Sequence, residues 1–358
     1  MVIVFSGGLA ACLGAHDVLP ASLYFLRGRE ADAQIWKLSA DGESLSQMSF
    51  EPDGIQAFSV SSKDGRLAYV SENRLILTDS DGANPVVLAD ASDISVEIED
   101  YIFHGIISNP VFSPDGRYLA YAWDGLHLYN LETGEDEHLL RNLEESLGEP
   151  YVFAEEAYSP ASWSPDGRQL LISMGYYEGS TLAVMTMGED KTYQRLLSEG
   201  ALCCTYAWTP DNRHVLVANP SYTVILPGLW RYDVHTGEKT NLIPDHEQLD
   251  ALDFIGWPQQ LPSGVLLFFH YHTERFYPEE GIPLKLTQAD SDGADLQSLR
   301  PETFQIREVL SELDGPGMLI LGRTSGDIPQ LMYLPNVDAP LQILIEDAAS
   351  IRSLTWGP

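Results

Sequence analysis

The sequence has few of the residues and patterns on which several classes of functional site depend. It contains three cysteines in 358 residues, and none of them belongs to a set with zinc-ligand spacing. No apolar run approaches the roughly 18 to 20 residues that a membrane-spanning helix needs. The G-x-S-x-G nucleophile elbow, the H-E-x-x-H zinc motif and the phosphate-binding P-loop are all missing. Cys203 and Cys204 are adjacent, and two arrangements stay open for them: one core thiol beside one more exposed thiol, or a strained disulfide.

Basic residues are also scarce. The chain has 20 lysines and arginines against 53 acidic residues, a formal net charge of -33 at pH 7. This charge repels phosphate backbones and anionic lipid head groups, so we expect no nucleic acid partner. It attracts cations and basic peptides, although adaptation to a salty habitat explains the same excess. Hydrophobic residues make up 44% of the chain and aromatic residues 10%, which is enough for a folded core.

The N-terminus carries the one targeting signal that we find. Leu9-Ala10-Ala11-Cys12 resembles a bacterial lipobox, in which a Cys becomes the lipid attachment site after signal cleavage. The segment lacks a basic region, so an ordinary N-terminus with a chance cysteine is the alternative. We predict a signal-like segment and short tether over residues 1–20, with Cys12 as lipid anchor and the chain in the periplasm or at the cell surface. Contact with a membrane is expected only through that anchor.

Two sequence motifs recur along the rest of the chain. The first is a turn, Ser113-Pro114-Asp115-Gly116-Arg117, followed by a short apolar strand. Pro presets φ, Asp bonds nearby backbone amides, and Gly accepts a positive φ, so each copy predicts a hairpin corner. Three further copies begin at Ser62, Ser164 and Thr209.

The second motif is a strand, a tight turn and another strand. Most copies centre on Asp-Gly or Thr-Gly, which favours a β-hairpin. By our count seven copies begin at Ile35, Leu75, Leu126, Leu182, Leu229, Leu284 and Leu331. Together the two motifs give a four-stranded antiparallel unit about every 40 to 55 residues, a period typical of propeller blades.

The motif S-P-D-G-R after Trp or Phe, with an x-x-D-G-x hairpin downstream, resembles the WD40-like repeats of the TolB-type propeller family. Related repeats occur in the propellers of prolyl oligopeptidases. The resemblance implies an all-β, seven-bladed propeller over residues 21–358, a single domain that we expect to be monomeric. Ser22 to Leu26 read like a second strand and Ser353 to Pro358 like a first strand, so the C-terminal strand is predicted to close the ring. Trp356 aligns with Phe112, Trp163, Trp208 and Trp257, which we interpret as a packing position between blades.

Long connections are predicted to gather on one side of the propeller, the long-loop face. In a four-stranded meander the second-to-third-strand turns and the blade-to-blade connections emerge on the same side. The candidate binding residues there are aromatic or acidic: Tyr101, Phe103, Tyr151, Tyr176, Tyr177, Tyr222, Phe276, Tyr277, Glu178, Glu279 and Glu280. Exposed rings and carboxylates suit a protein or basic peptide partner. The alternative is that the rings pack under their own loops.

Two segments contain residues that metal sites use. His270, His272 and Glu274 share one face of a predicted strand, although we interpret them as a polar strand edge. Asp290 to Asp295 hint at calcium but depart from the EF-hand order, and they coincide with a hairpin turn. We therefore predict no metal site and no cofactor, with calcium as the alternative.

The sequence predicts a non-catalytic, extracytoplasmic scaffold that binds a protein or peptide on the long-loop face. A carbohydrate- or calcium-binding propeller is the first alternative. A propeller enzyme with residues drawn from several blades is the second, because such sites need no linear motif.

Overall fold

The regular structure consists of β-strands. The computed structural model describes residues 17–29, 31–93, 105–146, 152–176, 179–188, 190–196, 205–220, 228–243, 252–274, 282–312, 315–324 and 326–358. No helix that could span a membrane occurs among these residues.

The strands form seven antiparallel sheets, which we number as blades 1 to 7. Blade 1 contains β1 (Leu23–Arg27), β2 (Gln34–Leu38) and β3 (Leu45–Gln47), and blade 2 contains β4 (Ala57–Val60), β5 (Leu67–Ser71), β6 (Arg74–Thr78) and β7 (Val86–Asp90). Blade 3 contains β8 (Ser108–Phe112), β9 (Tyr118–Ala122), β10 (Gly125–Asn130) and β11 (Asp136–Arg141). Blade 4 contains β12 (Leu143–Ser146), β13 (Val152–Trp163), β14 (Gln169–Tyr176), β15 (Gly179–Thr186) and β16 (Thr192–Arg195).

The remaining blades repeat the same order. Blade 5 contains β17 (Thr205–Trp208), β18 (His214–Ala218), β19 (Leu229–Asp233) and β20 (Lys239–Ile243). Blade 6 contains β21 (Leu252–Gln260), β22 (Leu266–Thr273), β23 (Lys285–Ala289) and β24 (Gln297–Ser298). Blade 7 contains β25 (Gln305–Ser311), β26 (Met318–Arg323), β27 (Gln330–Leu334) and β28 (Gln342–Ile345), and β29 (Ile351–Trp356) returns to blade 1. The predicted seven-bladed all-β propeller is confirmed.

The ring closes as the sequence predicts. The C-terminal β29 pairs antiparallel with β1, with Leu23 opposite Trp356 and Arg27 opposite Ile351. Blade 1 therefore takes its innermost strand from the end of the chain and its other three strands from the beginning. The pairing covers the edge of β1, which would otherwise expose unpaired backbone groups.

The hydrophobic core is divided into seven clusters, and each cluster joins two neighbouring blades. Successive side chains of a strand point to opposite faces, so one strand supplies two clusters. In β18, Val215 and Val217 pack toward blade 4, whereas Leu216 and Ala218 pack toward blade 6. This double burial explains the short apolar runs that follow the turn motifs.

The turn motifs form the hydrogen bonds expected from their residues. The Ser113 hydroxyl donates to Asp115 Oδ1 at 2.6 Å, and the Arg117 amide donates to the same oxygen at 3.1 Å. Gly116 follows with φ +69°. The copies at Ser164 and Thr209 repeat this pattern, and they extend it by a contact between blades, because the Asp166 amide donates to Asn212 Oδ1 at 3.0 Å.

The aromatic position before each turn bridges neighbouring blades. Trp163 Nε1 donates to the Val111 carbonyl at 3.3 Å, and Trp208 Nε1 donates to the Ser162 hydroxyl at 3.2 Å. Trp356 Nε1 donates to the Ser311 carbonyl at 3.0 Å across the closure. These residues pack between blades as interpreted from the sequence.

Blade 4 departs from the simple repeat. Its innermost strand, β13, has 12 residues, and its N-terminal part pairs with the short extra strand β12. Bulges interrupt the innermost strands β8 and β13 at Ser108 to Val111 and at Pro160 to Ser162. A bulge bends the strand that carries it, and these two lie beside a cavity between blades 3 and 4.

Candidate functional site

A cavity of about 580 Å³ lies between blades 3 and 4, and we refer to it as the blade 3–4 cavity. It is bordered by the β9–β10 turn, by the adjoining ends of β14 and β15, by the chain entering β8 and by the middle of β13. These include second-to-third-strand and blade-to-blade connections of the long-loop face. Its lining residues are mostly small or polar: Ile106, Ser108, Asn109, Ala122, Asp124, Gly125, Asn142, Ala157, Tyr158, Ser159, Ser173, Gly175, Tyr176, Gly179 and Ser180.

Small residues leave this space open. Gly125 has φ +134°, and a Cβ there would lie 2.0 Å from the Leu140 carbonyl oxygen, so only glycine fits the β9–β10 turn. The preceding Asp124 also has a positive φ, 50°. The resulting turn is two residues wide and ends at the rim of the cavity.

Asn142 ties the two walls together. Its backbone amide donates to the Asp124 backbone carbonyl of blade 3 at 3.1 Å. Its side-chain oxygen accepts the Tyr158 amide of blade 4 at 3.0 Å. One asparagine therefore holds the β9–β10 turn and β13 at a set separation.

Tyr158 and Tyr176 supply the aromatic surface of the cavity. The Tyr158 hydroxyl donates to Glu156 Oε2 at 2.5 Å, and the buried Glu156 also pairs with Arg195. Burial, and then the bond to Glu156, raises the pKa of Tyr158 well above its usual range. Burial also raises the pKa of Tyr176. Both rings are neutral phenols at physiological pH, held for stacking and hydrogen bonding.

Asp124 contributes a negative charge to the described wall of the cavity. It is the only aspartate, glutamate, lysine, arginine or histidine among the lining residues that the structure describes. Its Oδ1 accepts the Gly105 amide at 2.5 Å, which orients the carboxylate.

The cavity adjoins a second space near the centre of the ring. This space of about 420 Å³ is lined by residues from the innermost strands β4, β8, β13, β17 and β29, which places it on the propeller axis. Asn109, Ser159 and Ser173 line both spaces. A ligand in the blade 3–4 cavity would therefore lie at the entrance of the central channel.

Of the predicted binding residues, Tyr176 lies in the described part of the chain, and it lines the blade 3–4 cavity. Ten others lie outside the described residues: Tyr101, Phe103, Tyr151, Tyr177, Tyr222, Phe276, Tyr277, Glu178, Glu279 and Glu280. Cys12, Cys203 and Cys204 also lie outside them. Asp124, Asn142 and the serines of the cavity were not predicted from the sequence. The Asp-Gly pair of the β9–β10 turn was the one local sequence pattern that indicated a turn at this cavity.

The histidine pair of β22 has a partner within its own blade. Asp253 Oδ1 lies 2.7 Å from His270 Nε2 and 2.9 Å from His272 Nδ1. Within the described ranges no group of three or more His, Cys, Asp or Glu residues is arranged to hold a metal ion. The Asp290 segment is a hairpin turn in which the Gly293 amide donates to the Asp290 carbonyl at 2.9 Å.

The fold is similar to the propellers of known peptidases. A puromycin hydrolase has 16% identity and a TM-score of 0.62 over 94% of this chain and 53% of its own. A prolyl endopeptidase has 10% identity and a TM-score of 0.61 over 94% of this chain and 49% of its own. This chain therefore spans about half the length of these peptidases, and at such identities the likeness concerns the fold.

TolB proteins are also among the structural neighbours. TolB from Acinetobacter baumannii has 16% identity and a TM-score of 0.46 over 94% of this chain and 82% of its own. No protein-family model matches the chain, and no curated protein matches it significantly. The WD40-like repeat family expected from the sequence is thus not confirmed beyond the propeller arrangement.

These comparisons contradict the function predicted from the sequence. The better-scoring structures are peptidases of which the propeller is one part. They are not non-catalytic scaffolds for a protein or peptide partner. The reason for the error is physical: turn and hairpin motifs specify blades, and peptidase propellers have the same blades. A propeller by itself does not establish an enzymatic activity either.

Proposed function

We propose that this chain is the substrate-binding propeller of a peptidase. In this proposal the blade 3–4 cavity holds the amino end of a short peptide or aminoacyl amide, and a hydrolase domain packed against the propeller supplies the catalytic groups. The fold likeness to a puromycin hydrolase and a prolyl endopeptidase, both with TM-scores above 0.6, carries the proposal.

The size of the cavity supports a small substrate. About 580 Å³ lies within the roughly 300 to 1,000 Å³ typical of small-ligand sites. Two tyrosine rings provide apolar contact area, whereas serine and asparagine side chains provide hydrogen bonds for peptide groups. A folded protein partner would not enter this space.

The charge of the site supports an ammonium group. Asp124 is placed on the wall of the cavity, in a chain of net charge -33. The field of such a chain raises the local concentration of cations at its surface. A free α-amino group is the cation that peptides and aminoacyl amides share.

Equilibrium binding of puromycin tests the proposal, because puromycin is an aminoacyl amide with a free amino group. Titration calorimetry should detect binding to the unmodified chain and a loss of about tenfold or more for N-acetylpuromycin, which lacks the ammonium charge. Ser173→Phe should abolish binding, because Ser173 lies where the cavity joins the channel. Ser291→Phe, at an exposed hairpin turn, is the matched control and should bind normally. Equal affinity in the Ser173 and Ser291 variants, or no binding to the unmodified chain, would refute the proposal.

A further inference from the structure

A smaller cavity of about 290 Å³ lies on the long-loop face between blades 6 and 7, and we refer to it as the blade 6–7 cavity. It is bordered by the chain entering β25 and by the connection that follows β26. Its lining residues are Pro283, Thr303, Gln305, Arg323, Thr324, Gly326 and Asp327. Arg323 is the only basic residue among them.

The guanidinium of Arg323 is held in one orientation by a neutral partner. Gln305 and Arg323 are opposite each other in the β25–β26 ladder. Arg323 Nε donates to Gln305 Oε1 at 2.8 Å, and Nη2 donates to the same oxygen. One edge of the guanidinium is thereby bound to the sheet, and the opposite edge, formed by Nη1 and Nη2, faces Asp327 Oδ1.

Among the described lining residues, the one carboxylate is a weak partner for this arginine. Asp327 Oδ1 lies 3.5 Å from Arg323 Nη1, and its side chain is fully exposed. Surface pairs of this kind contribute little to stability, so a ligand can replace the aspartate at small cost. Gly326, beside it, has φ +76° and no heavy atom within 4 Å of a Cβ position, so this turn leaves the side of the cavity open.

Arg323 differs in this respect from two other arginines of the chain. Arg213 pairs with the buried Asp233 at 2.6 Å, and Arg195 pairs with the buried Glu156. Those guanidinium charges are neutralised by close carboxylates inside the protein. The guanidinium of Arg323 instead bonds to an amide and lies 3.5 Å from the exposed carboxylate of Asp327, so its charge remains available to an anion.

From this geometry we infer that the blade 6–7 cavity is a binding site for a small organic carboxylate. The Nη1 and Nη2 ends of Arg323 bind the two carboxylate oxygens, an arrangement that matches the fork of a guanidinium. Thr303 and Thr324 also line the cavity, and each carries a hydroxyl that can donate a hydrogen bond to the ligand. The site goes beyond the proposed function and does not depend on the blade 3–4 cavity.

The experiment compares N-acetylglycine, N-acetylglycinamide and inorganic phosphate by titration calorimetry at low ionic strength. N-acetylglycine should bind, and its amide, which lacks the carboxylate, should bind at least about tenfold more weakly. Arg323→Gln should abolish binding. Arg168→Gln is the control, since Arg168 is an exposed arginine at a turn of blade 4, and it should leave the affinity unchanged.

Asp327→Asn should raise the affinity where Arg323→Gln lowers it, and misfolding cannot explain a gain of affinity. Removing the competing carboxylate of this exposed residue should raise the affinity for N-acetylglycine by about twofold or more. Ser173→Phe should have no effect, which separates this site from the one proposed for substrate. Equal binding of the acid and its amide, a preference for phosphate, or unchanged affinity in Arg323→Gln would each overturn the inference.

Discussion

Removal of β29 should open the ring. The strand buries Ile351 and Leu354 against blade 7, and fully burying two such side chains contributes about 5 kcal/mol. Glu308 accepts the Ser353 amide at 2.9 Å and the Leu354 amide at 2.6 Å, and Trp356 donates to Ser311. Three such bonds contribute about 3 kcal/mol. A total near 8 kcal/mol is comparable with the whole stability of a typical domain.

A chain that ends at Ser350 is the sharpest form of this test. We expect it to unfold or to associate through the exposed edge of β1, as measured by circular dichroism and by light scattering after size exclusion. A synthetic peptide of residues 351–358 should restore the melting curve and the oligomeric state of the full chain. Leu354→Ala should be destabilising by about 2 to 5 kcal/mol. Ile343→Ala is the control, because Ile343 is 52% exposed, and it should be near neutral. A truncated monomer that melts within a few degrees of the full chain would refute the closure.

Three further predictions test the packing and the turns. Trp163→Phe removes the indole bond to blade 3 and should lower the free energy of unfolding by about 1 kcal/mol in calorimetry, whereas no change would show that the bond is unimportant. Gly82→Ala should be far more destabilising in urea unfolding than Gly134→Ala, since both glycines have positive φ but only the Gly82 Cβ would lie 2.1 Å from a backbone oxygen; equal losses would contradict this. Burial raises the pKa of Asp233, but hydrogen bonds from Arg213 and two backbone amides outweigh this effect and lower it to about 2. The stabilisation that the Asp233 carboxylate contributes is therefore full above about pH 4 and is lost as the pH falls through 2. Asp233→Asn should thus lower the free energy of unfolding at pH 7 and not at pH 2. Equal losses at both pH values would refute the lowered pKa of Asp233.

The blades and their closure were predictable because they depend on local chemistry. The Asp115 and Gly116 pattern determines a turn wherever it occurs, and seven hairpins with one period specify seven blades. The closure followed from the unmatched strands at the two ends. Trp356 could be assigned to its place because every blade repeats the same order of strands.

The two cavities were not predictable, because each depends on residues far apart in the sequence. Asp124 and Ser173 are small polar residues without a motif, and they share a cavity only because blades 3 and 4 are adjacent. Arg323 and Gln305 belong to different strands, and their pairing depends on the register of β25 and β26. The fifth strand of blade 4 has no counterpart in the repeat, so the repeat pattern could not reveal it. Function was mispredicted because the repeats describe a scaffold that peptidases also use.

The most direct test of the substrate-binding proposal is a crystal structure of this chain with puromycin. We expect electron density between blades 3 and 4, with the amino group about 3 Å from the Asp124 carboxylate and the aromatic group against Tyr158 or Tyr176. Density at any other place, or an empty cavity at saturating ligand in a crystal that leaves it accessible, would contradict the account.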